Sequence, residues 1–328
     1  MKILGIGNAL VDVIVPLDND NLLEKLQLPR GSMQLIFDDR LPEVEAAVAN
    51  LDLELASGGS AANTTHGLAA LGLETAFIGS ISRDSYGNFF EKDLIAKGIL
   101  PKLRYSETPT GRAHAFVSAD SERTFGTYLG AALELGPEHL SPEMFGGYDW
   151  LYVEGYLVQN HALIEIAVKV AKDAGLKIAL DLASYNVVED NKEFLIDLLK
   201  NYVDLVFANE EESKAISDKE PEEALRLLSD WCEDAVVKVG KDGSLILSDG
   251  DILKVDSVQA KPIDTSGAGD LYAAGYLYGK SKGLSAYKCG QIGSVLSGKV
   301  IEFFGPKLPL SAWADVLAKV KQIEEYGE

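Results

Sequence analysis

Residues 264–270 read Asp-Thr-Ser-Gly-Ala-Gly-Asp, a pattern that indicates a turn of small residues at the start of a helix. A strand-like run ends before it, and the small and apolar run that follows has the pattern of a helix. Backbone N–H groups in a first helical turn lack intrahelical partners, and the helix dipole favours negative charge there. The stretch therefore predicts an anion site at a helix N-terminus, with the carboxylate of Asp270 beside it. Such a pair suits phosphoryl transfer to a hydroxyl, whose proton a nearby base must accept.

A plain helix start is the alternative interpretation of the same stretch. Ser266 or Asp264 would then cap the helix, and Asp270 would only favour the dipole. A cap needs one polar side chain, however, and not Gly-Ala-Gly between two acids. We expect the dipole to keep Asp270 ionised, which makes it an available but weak base. Positioning and electrostatics should then supply most of the catalysis.

The composition limits the possible partners. The chain has 328 residues, 47% of them hydrophobic, and suits a single α/β domain over residues 1–328. Its formal net charge of −21 repels nucleic acid and anionic membranes, so phosphate groups on a substrate need local basic groups and a metal ion. Cys232 and Cys289 lack any pairing or metal-binding spacing. Because the sequence also has no apolar run of membrane-spanning length, we expect a cytoplasmic enzyme with reduced thiols.

Strand-like and helix-like segments alternate from residue 150 onward. Strands are expected over 150–155, 177–181, 203–208, 235–239 and 244–247, and helices over 162–174 and 194–202 and from residues 267, 285 and 311. This alternation predicts a mostly parallel central sheet with helices on both faces. In the first half, 2–6 and 74–79 resemble central strands and 61–71 and 89–97 resemble helices.

Three segments of the first half alternate apolar and polar residues instead: 33–37, 112–118 and 124–127. Such alternation is typical of half-exposed strands in an antiparallel sheet. We expect them to form a small discontinuous lid at the edge of the central sheet, built from about residues 13–56 and 102–128.

A second glycine motif lies upstream, where residues 58–63 read Gly-Gly-Ser-Ala-Ala-Asn. Gly58 and Gly59 allow the backbone to approach a ligand closely, and Asn63 offers an amide at the mouth of a helix. Taken alone, the motif is an ordinary glycine turn before an alanine-rich helix. Together, the two motifs resemble the N-terminal and C-terminal signatures of the ribokinase-like (PfkB) carbohydrate and nucleoside kinases. The resemblance extends from Gly5 to about Gly305.

The resemblance implies a three-layer α/β/α sandwich with a mostly parallel sheet and a small β lid. It also implies that Asp270 is the catalytic base, that the N–H groups of residues 267–270 stabilise the transferred phosphoryl group, and that Arg123 reaches this group from the lid. ATP would lie in a groove beside residues of the glycine turns and the strand before them: Lys238, Gly240, Gly243, Thr265 and Gly267. A surface arginine paired with a carboxylate is the alternative for Arg123.

Residues 5–12 read Gly-Ile-Gly-Asn-Ala-Leu-Val-Asp. A dinucleotide-binding fingerprint would need glycine where Leu10 stands, and a polar turn between two strands is the other alternative. The family resemblance instead places Asp12 on the vicinal hydroxyls of a ribose and Asn8 against the ring attached to it. The Asn-x-x-x-Asp spacing is similar to adenosine kinases, in which an aromatic residue matching Tyr156 stacks on the base. A core tyrosine is the alternative for Tyr156.

Two cation sites follow from the resemblance. Asn209 and Glu212 match an Asn-x-x-Glu motif that holds Mg²⁺ and phosphate largely through water, whereas an acidic first helical turn is the alternative. Asp264 and Ser266, with carbonyl groups around residues 300–305, would frame a monovalent cation such as K⁺.

These expectations combine into one reaction, the transfer of the γ-phosphoryl group of ATP to a primary hydroxyl of a nucleoside. Adenosine is the favoured acceptor, and a free sugar such as ribose or fructose is the alternative. A non-catalytic nucleotide or sugar sensor is the second alternative, against which the intact Asp270 motif argues. We expect a monomer or a homodimer, without nucleic-acid or membrane partners.

Overall fold

The computed structural model describes residues 1–120, 122–248 and 250–326. Nine strands form a central sheet in the order β14-β13-β12-β11-β10-β9-β1-β5-β6. These strands are β1 (Lys2–Ile6), β5 (Glu74–Ser82), β6 (Ile99–Ser106), β9 (Trp150–Glu154), β10 (Lys177–Asp181), β11 (Leu205–Asn209), β12 (Asp234–Lys238), β13 (Ser244–Ser248) and β14 (Asp251–Val255). The pairs from β6 to β12 are parallel, and β13 and β14 add an antiparallel edge.

Helices cover both faces of the sheet, as a parallel sheet with βαβ crossovers requires. They are α1 (Asn21–Lys25), α2 (Leu41–Val48), α3 (Ser60–Ala70), α4 (Ser85–Ala96), α5 (His161–Asp173), α6 (Tyr185–Asp190), α7 (Lys192–Asn201), α8 (Glu210–Ser217), α9 (Pro221–Trp231), α10 (Ala268–Ser281), α11 (Ala286–Val300) and α12 (Leu310–Tyr326). In β1, Ile3 packs on the side of α3, α10 and α11, whereas Leu4 and Ile6 pack on the side of α5 and α7. This alternation creates two apolar layers and confirms the expected three-layer α/β/α architecture.

A second, five-stranded sheet has the order β3-β8-β7-β2-β4. Its strands are β2 (Leu10–Pro16), β3 (Met33–Leu35), β4 (Glu54–Gly58), β7 (Gly111–Val117) and β8 (Arg123–Tyr128). The expectation of a purely antiparallel sheet was wrong, because β2 pairs with β7 and β3 pairs with β8 in parallel. Alternation of polar and apolar residues identifies a half-exposed strand but not the direction of its partner.

The expected lid segment 102–128 begins too early. Residues 102–106 belong to β6, whose register with β5 runs from Thr75–Ile99 to Ser82–Ser106. The long pairing with β5 makes these residues the edge of the central sheet, and Ser121 of the same segment lies outside the described residues. Within the described residues, no helix has the length and apolar character needed to cross a bilayer.

Candidate active site

A cavity of about 810 Å³ lies at the carboxyl ends of the central strands, beneath one face of the small sheet. Four neighbouring parallel strands each end in a polar residue that lines it: Glu154, Asp181, Asn209 and Lys238. Carboxyl ends of parallel strands meet at one sheet edge, where ligands bind in open α/β sheets. The topology therefore concentrates charged side chains in a single cavity.

The turn at residues 264–270 enters this cavity at the start of α10. Gly267 is the N-cap with φ +73°, and no side chain caps the helix. A Cβ atom on Gly267 would lie 2.6 Å from the Cα atom of Pro306, so only glycine fits. Neither Ser266 nor Asp264 acts as the helix cap that the alternative interpretation required.

The backbone N–H groups of this turn remain largely available. The N–H of Ala268 donates to the carbonyl of Thr265 at 3.2 Å. This group is therefore not free to bind an anion, contrary to the expectation for residues 267–270. Among the described residues, the N–H groups of Gly267, Gly269 and Asp270 donate no hydrogen bond. Unpaired donors that line a cavity at a helix N-terminus are suited to an anion.

The carboxylate of Asp270 is fixed by α3. The Ser60 hydroxyl donates to Oδ1 at 2.7 Å, and the Asn63 amide donates to Oδ2 at 2.9 Å. Burial raises the pKa of Asp270 to about 6, although these two hydrogen bonds oppose the rise. The carboxylate is still ionised at neutral pH, as expected, but it is less weakly basic than expected, because desolvation outweighs the helix dipole. Asp270 is instead a base whose pKa lies near neutrality.

Two glycines bring Asp12 to the same cavity. A Cβ atom on Gly58 would lie 2.5 Å from Oδ1 of Asp12, and a Cβ atom on Gly59 would lie 2.1 Å from the carbonyl oxygen of Asn8. Gly59 also has φ +95°. Burial raises the pKa of Asp12 to about 6, while Lys307 and Arg123 lower it. Gly58 thus leaves room for the Asp12 carboxylate, Gly59 lets the chain pass close to Asn8, and Asp12 lines the cavity.

Asn8 has a partner that the sequence did not indicate. Its side-chain amide donates to Oε1 of Glu154 at 2.6 Å, and its backbone N–H donates to the same oxygen at 3.2 Å. The second oxygen of Glu154 accepts from the backbone N–H of Ala61 at 3.0 Å. Burial raises the pKa of Glu154 to about 7. Glu154 thus ties the end of β1 to the first turn of α3.

Arg123 contacts the loop that precedes α10. Its Nη1 lies 2.6 Å from Oδ2 of Asp264, and the two side chains are 11% and 6% exposed. The N–H of Gly305 donates to the same carboxylate oxygen at 2.7 Å, and the N–H of Ser266 donates to the other oxygen at 3.0 Å. Nε and Nη2 of Arg123 are buried without a partner among the described residues. Arg123 therefore lines the cavity with these two unpaired donor groups, Nε and Nη2. It is not the surface arginine of the alternative interpretation.

Asn209 and Glu212 form a reciprocal capping box at the start of α8. The Glu212 carboxylate accepts from the backbone and side-chain amides of Asn209 at 2.8 and 2.7 Å. Burial, reinforced by Asp181, raises the pKa of Glu212 to about 7. No group of three or more His, Cys, Asp or Glu residues among those described could hold a metal ion directly. A water-mediated cation near Glu212 fits this arrangement, since it would offset the crowding of buried carboxylates.

Lys238 supplies positive charge to the same region. Its ammonium lies 2.9 Å from Oδ2 of Asp181, and a Cβ atom on Gly269 would lie 3.1 Å from it. Gly240 and Gly243 form the turn after β12, with φ +53° and +94°, and they do not line the cavity. A Cβ atom on Gly243 would lie 1.9 Å from the carbonyl oxygen of Val255, so packing of the turn already requires this glycine.

Tyr156 lines the cavity with 40% of its surface exposed, so it is not a core tyrosine. Sequence reasoning assigned no role to Glu154 and Asp181, which the structure brings into the site. Their signal was present, because each is an acid that ends an apolar strand.

Comparison with known proteins agrees with this geometry. Residues 31–313 match the pfkB family carbohydrate kinase model. The chain is 26% identical to adenosine kinase 2 of Arabidopsis thaliana over 334 residues, which cover 94% of this chain and 95% of that protein. Two solved structures cover almost the whole chain at higher identity.

The adenosine kinase from Sinorhizobium meliloti has a TM-score of 0.84 and 35% identity, with 97% of this chain and 98% of that one covered. A probable sugar kinase from Rhizobium etli CFN 42 has a TM-score of 0.85 and 32% identity, with 98% of each chain covered. The family match, these relatives and the arrangement around Asp270 lead to one conclusion: the chain belongs to the pfkB family and is a carbohydrate or nucleoside kinase.

Proposed function

We propose that this kinase transfers the γ-phosphoryl group of ATP to the primary hydroxyl of a nucleoside, with adenosine as the favoured acceptor. The observation that carries the proposal is the Asp270 carboxylate, held by Ser60 and Asn63 next to unpaired N–H groups. A base with a pKa of about 6 is ionised at neutral pH and still accepts a proton from an aligned hydroxyl.

In the proposed reaction, the hydroxyl proton passes to Asp270 as the oxygen attacks the γ-phosphorus and the bond to ADP breaks. The N–H groups of Gly267, Gly269 and Asp270 face the charge on the phosphoryl oxygens. Lys238 adds positive charge at Gly269, which supports a role in binding phosphate. Mg²⁺, held through water near Asn209 and Glu212, would neutralise charge on the phosphates of ATP.

The acceptor is proposed to lie between Asp12 and the small sheet, which would act as a lid. Asp12 would accept hydrogen bonds from the vicinal hydroxyls of the ribose. Met33 and Leu35 also line the cavity, and they are 57% and 48% exposed. Such an exposed apolar surface would serve no purpose in binding a free sugar. With Tyr156, these side chains would cover a nucleobase. The similarity to a structure described as an adenosine kinase supports this assignment.

For the monovalent cation, the arrangement argues for a different role of Asp264. Arg123 already neutralises its carboxylate, and both oxygens accept backbone N–H groups. We therefore propose that Asp264 positions Arg123, and that K⁺ beside this loop would contact backbone carbonyls and not Asp264.

ADP release with Mg²⁺-ATP and a panel of acceptors tests the proposal. We expect turnover with adenosine, weaker turnover with other ribonucleosides, and none with ribose or fructose. As a matched control, 5′-deoxyadenosine lacks the accepting hydroxyl, so it should inhibit competitively without releasing ADP. Turnover with sugars alone would establish the sugar-kinase alternative, and no turnover with any acceptor would favour a sensor.

A further inference from the structure

A second cavity, of about 410 Å³, lies along α3 beyond the active-site cavity. Asn63 lines both cavities, and His66, Gly67 and Ala70 continue the wall of the second one along the helix. The proposed phosphoryl transfer uses no residue that lines only the second cavity. Its size is sufficient for a small organic molecule.

One part of this cavity is apolar and open to solvent. Leu308 and Trp313 line it, together with Leu55 and Leu310, which are 40% and 81% exposed. Exposed apolar side chains that converge on a cavity are typical of a binding site. This part of the wall fits an apolar or aromatic group.

The other part contains a cluster of charged groups. Lys307 contacts the Ser57 hydroxyl, and its ammonium lies 3.5 Å from Oδ2 of Asp93. The same carboxylate also accepts from Ser57 and lies 3.3 Å from Nε2 of His66. Burial lowers the pKa of His66 to about 3, so this histidine is neutral.

Lys97 also lines this cavity, in which Asp93 is the one carboxylate among the described lining residues. Burial lowers the pKa of Lys307 to about 8, although Asp93 and, from the active-site cavity, Asp12 oppose the change. An ammonium with too little negative charge around it is stabilised by a bound anion. The excess of positive charge is unusual for a chain whose net charge is −21.

We propose that the second cavity binds a small organic anion, with its carboxylate or phosphate group between Lys97 and Lys307 and its apolar body against Trp313. The bound anion reaches Asn63, whose amide holds Asp270, so the occupant adjoins the catalytic carboxylate without entering the active site.

Three probes that differ only in charge test this site on the full chain: 3-phenylpropionate, 3-phenylpropanol and 3-phenylpropylamine. Binding is followed by NMR at the indole N–H of Trp313, assigned with Trp313→Phe, and at the side-chain amide of Asn63, assigned with Asn63→Ser. We expect saturable shifts of both signals with the carboxylate, about ten-fold weaker binding of the alcohol, and none of the amine. Equal binding of the alcohol and the carboxylate would overturn the proposal.

Lysine variants make the test specific. Lys307→Met should weaken binding of the carboxylate about ten-fold. Lys97→Met should also weaken binding of the carboxylate. Because Lys97 lies at the surface, this variant keeps the test decisive if Lys307→Met fails to fold. Lys321→Met, on the exposed face of α12, should leave binding unchanged. Unchanged binding in the folded Lys97 and Lys307 variants would refute the site, and the result does not depend on which acceptor the enzyme uses.

Discussion

Arg123 of β8 and Asp264 of the loop before α10 form a nearly buried salt bridge, with 2.6 Å between Nη1 and Oδ2. This pair joins the small sheet to the loop that begins the proposed anion site. The Asp264 carboxylate is held in place on its own side as well, since it also accepts hydrogen bonds from the N–H groups of Ser266 and Gly305. The salt bridge thus links the small sheet to the turn that carries Asp270.

Removing one member of this pair should destabilise the protein. Arg123→Met leaves the buried Asp264 carboxylate with two backbone N–H donors but no cation, and we expect a loss of about 3 kcal/mol in the free energy of unfolding. Arg30→Met is the matched control, because Arg30 is 43% exposed and pairs with Asp20 and Asp120 at the surface. It should cost less than about 1 kcal/mol. Urea denaturation measures both, and equal losses would show that the Arg123 pair has no special role.

The glycine turn should tolerate no side chain at its N-cap. Gly267→Ala places a Cβ atom 2.6 Å from the Cα atom and the carbonyl oxygen of Pro306, so the turn must move. We expect the rate of ADP release to fall at least about 100-fold, the size of effect seen on removing anion-stabilising donors. Gly283→Ala is the control, since Gly283 has a similar φ of +69° but no atom within 4 Å of its Cβ position. It should cost about 1 kcal/mol of stability and leave the rate unchanged. Comparable rates in the two variants would contradict the proposed anion site.

Stability should depend on pH because four cavity carboxylates have raised pKa values. Burial raises the pKa of Asp12 and Asp270 to about 6, and that of Glu154 and Glu212 to about 7. The folded state then binds more protons than the unfolded state between about pH 4 and pH 7, so stability falls as the pH rises through that window. We expect a higher urea midpoint at about pH 6 than at about pH 8. The reverse order would mean that these groups are not desolvated.

Much of the fold was accessible from the sequence, because apolar strands and amphipathic helices alternate clearly after residue 150. Strand β14 was not predicted, although residues 248–251 read Ser-Asp-Gly-Asp, a sequence typical of a hairpin turn. The small sheet was predicted in outline but not in strand direction. Direction is set by pairings between distant segments, such as β2 with β7, and no local pattern encodes these pairings.

The composition of the candidate site was also accessible, since glycine turns and strand-end polar residues are local signals. The contacts within it were not. Asn63 meets Asp270 across a separation of 207 residues, and Asn8 meets Glu154 across 146. The pKa of Asp270 could not be predicted either, because desolvation depends on the packing of α3 against α10 and the helix dipole is only a local effect.

The most direct measurement compares the Asp270→Asn variant with the wild-type protein. ADP release gives the turnover of each, and calorimetry gives the dissociation constants for ATP and adenosine. Asp256→Asn, at an exposed position, is the control and should behave as the unchanged chain does. If Asp270 is the base, turnover falls by about 10²- to 10⁴-fold while both dissociation constants stay within about three-fold. Turnover in Asp270→Asn close to that of the unchanged chain would contradict the account.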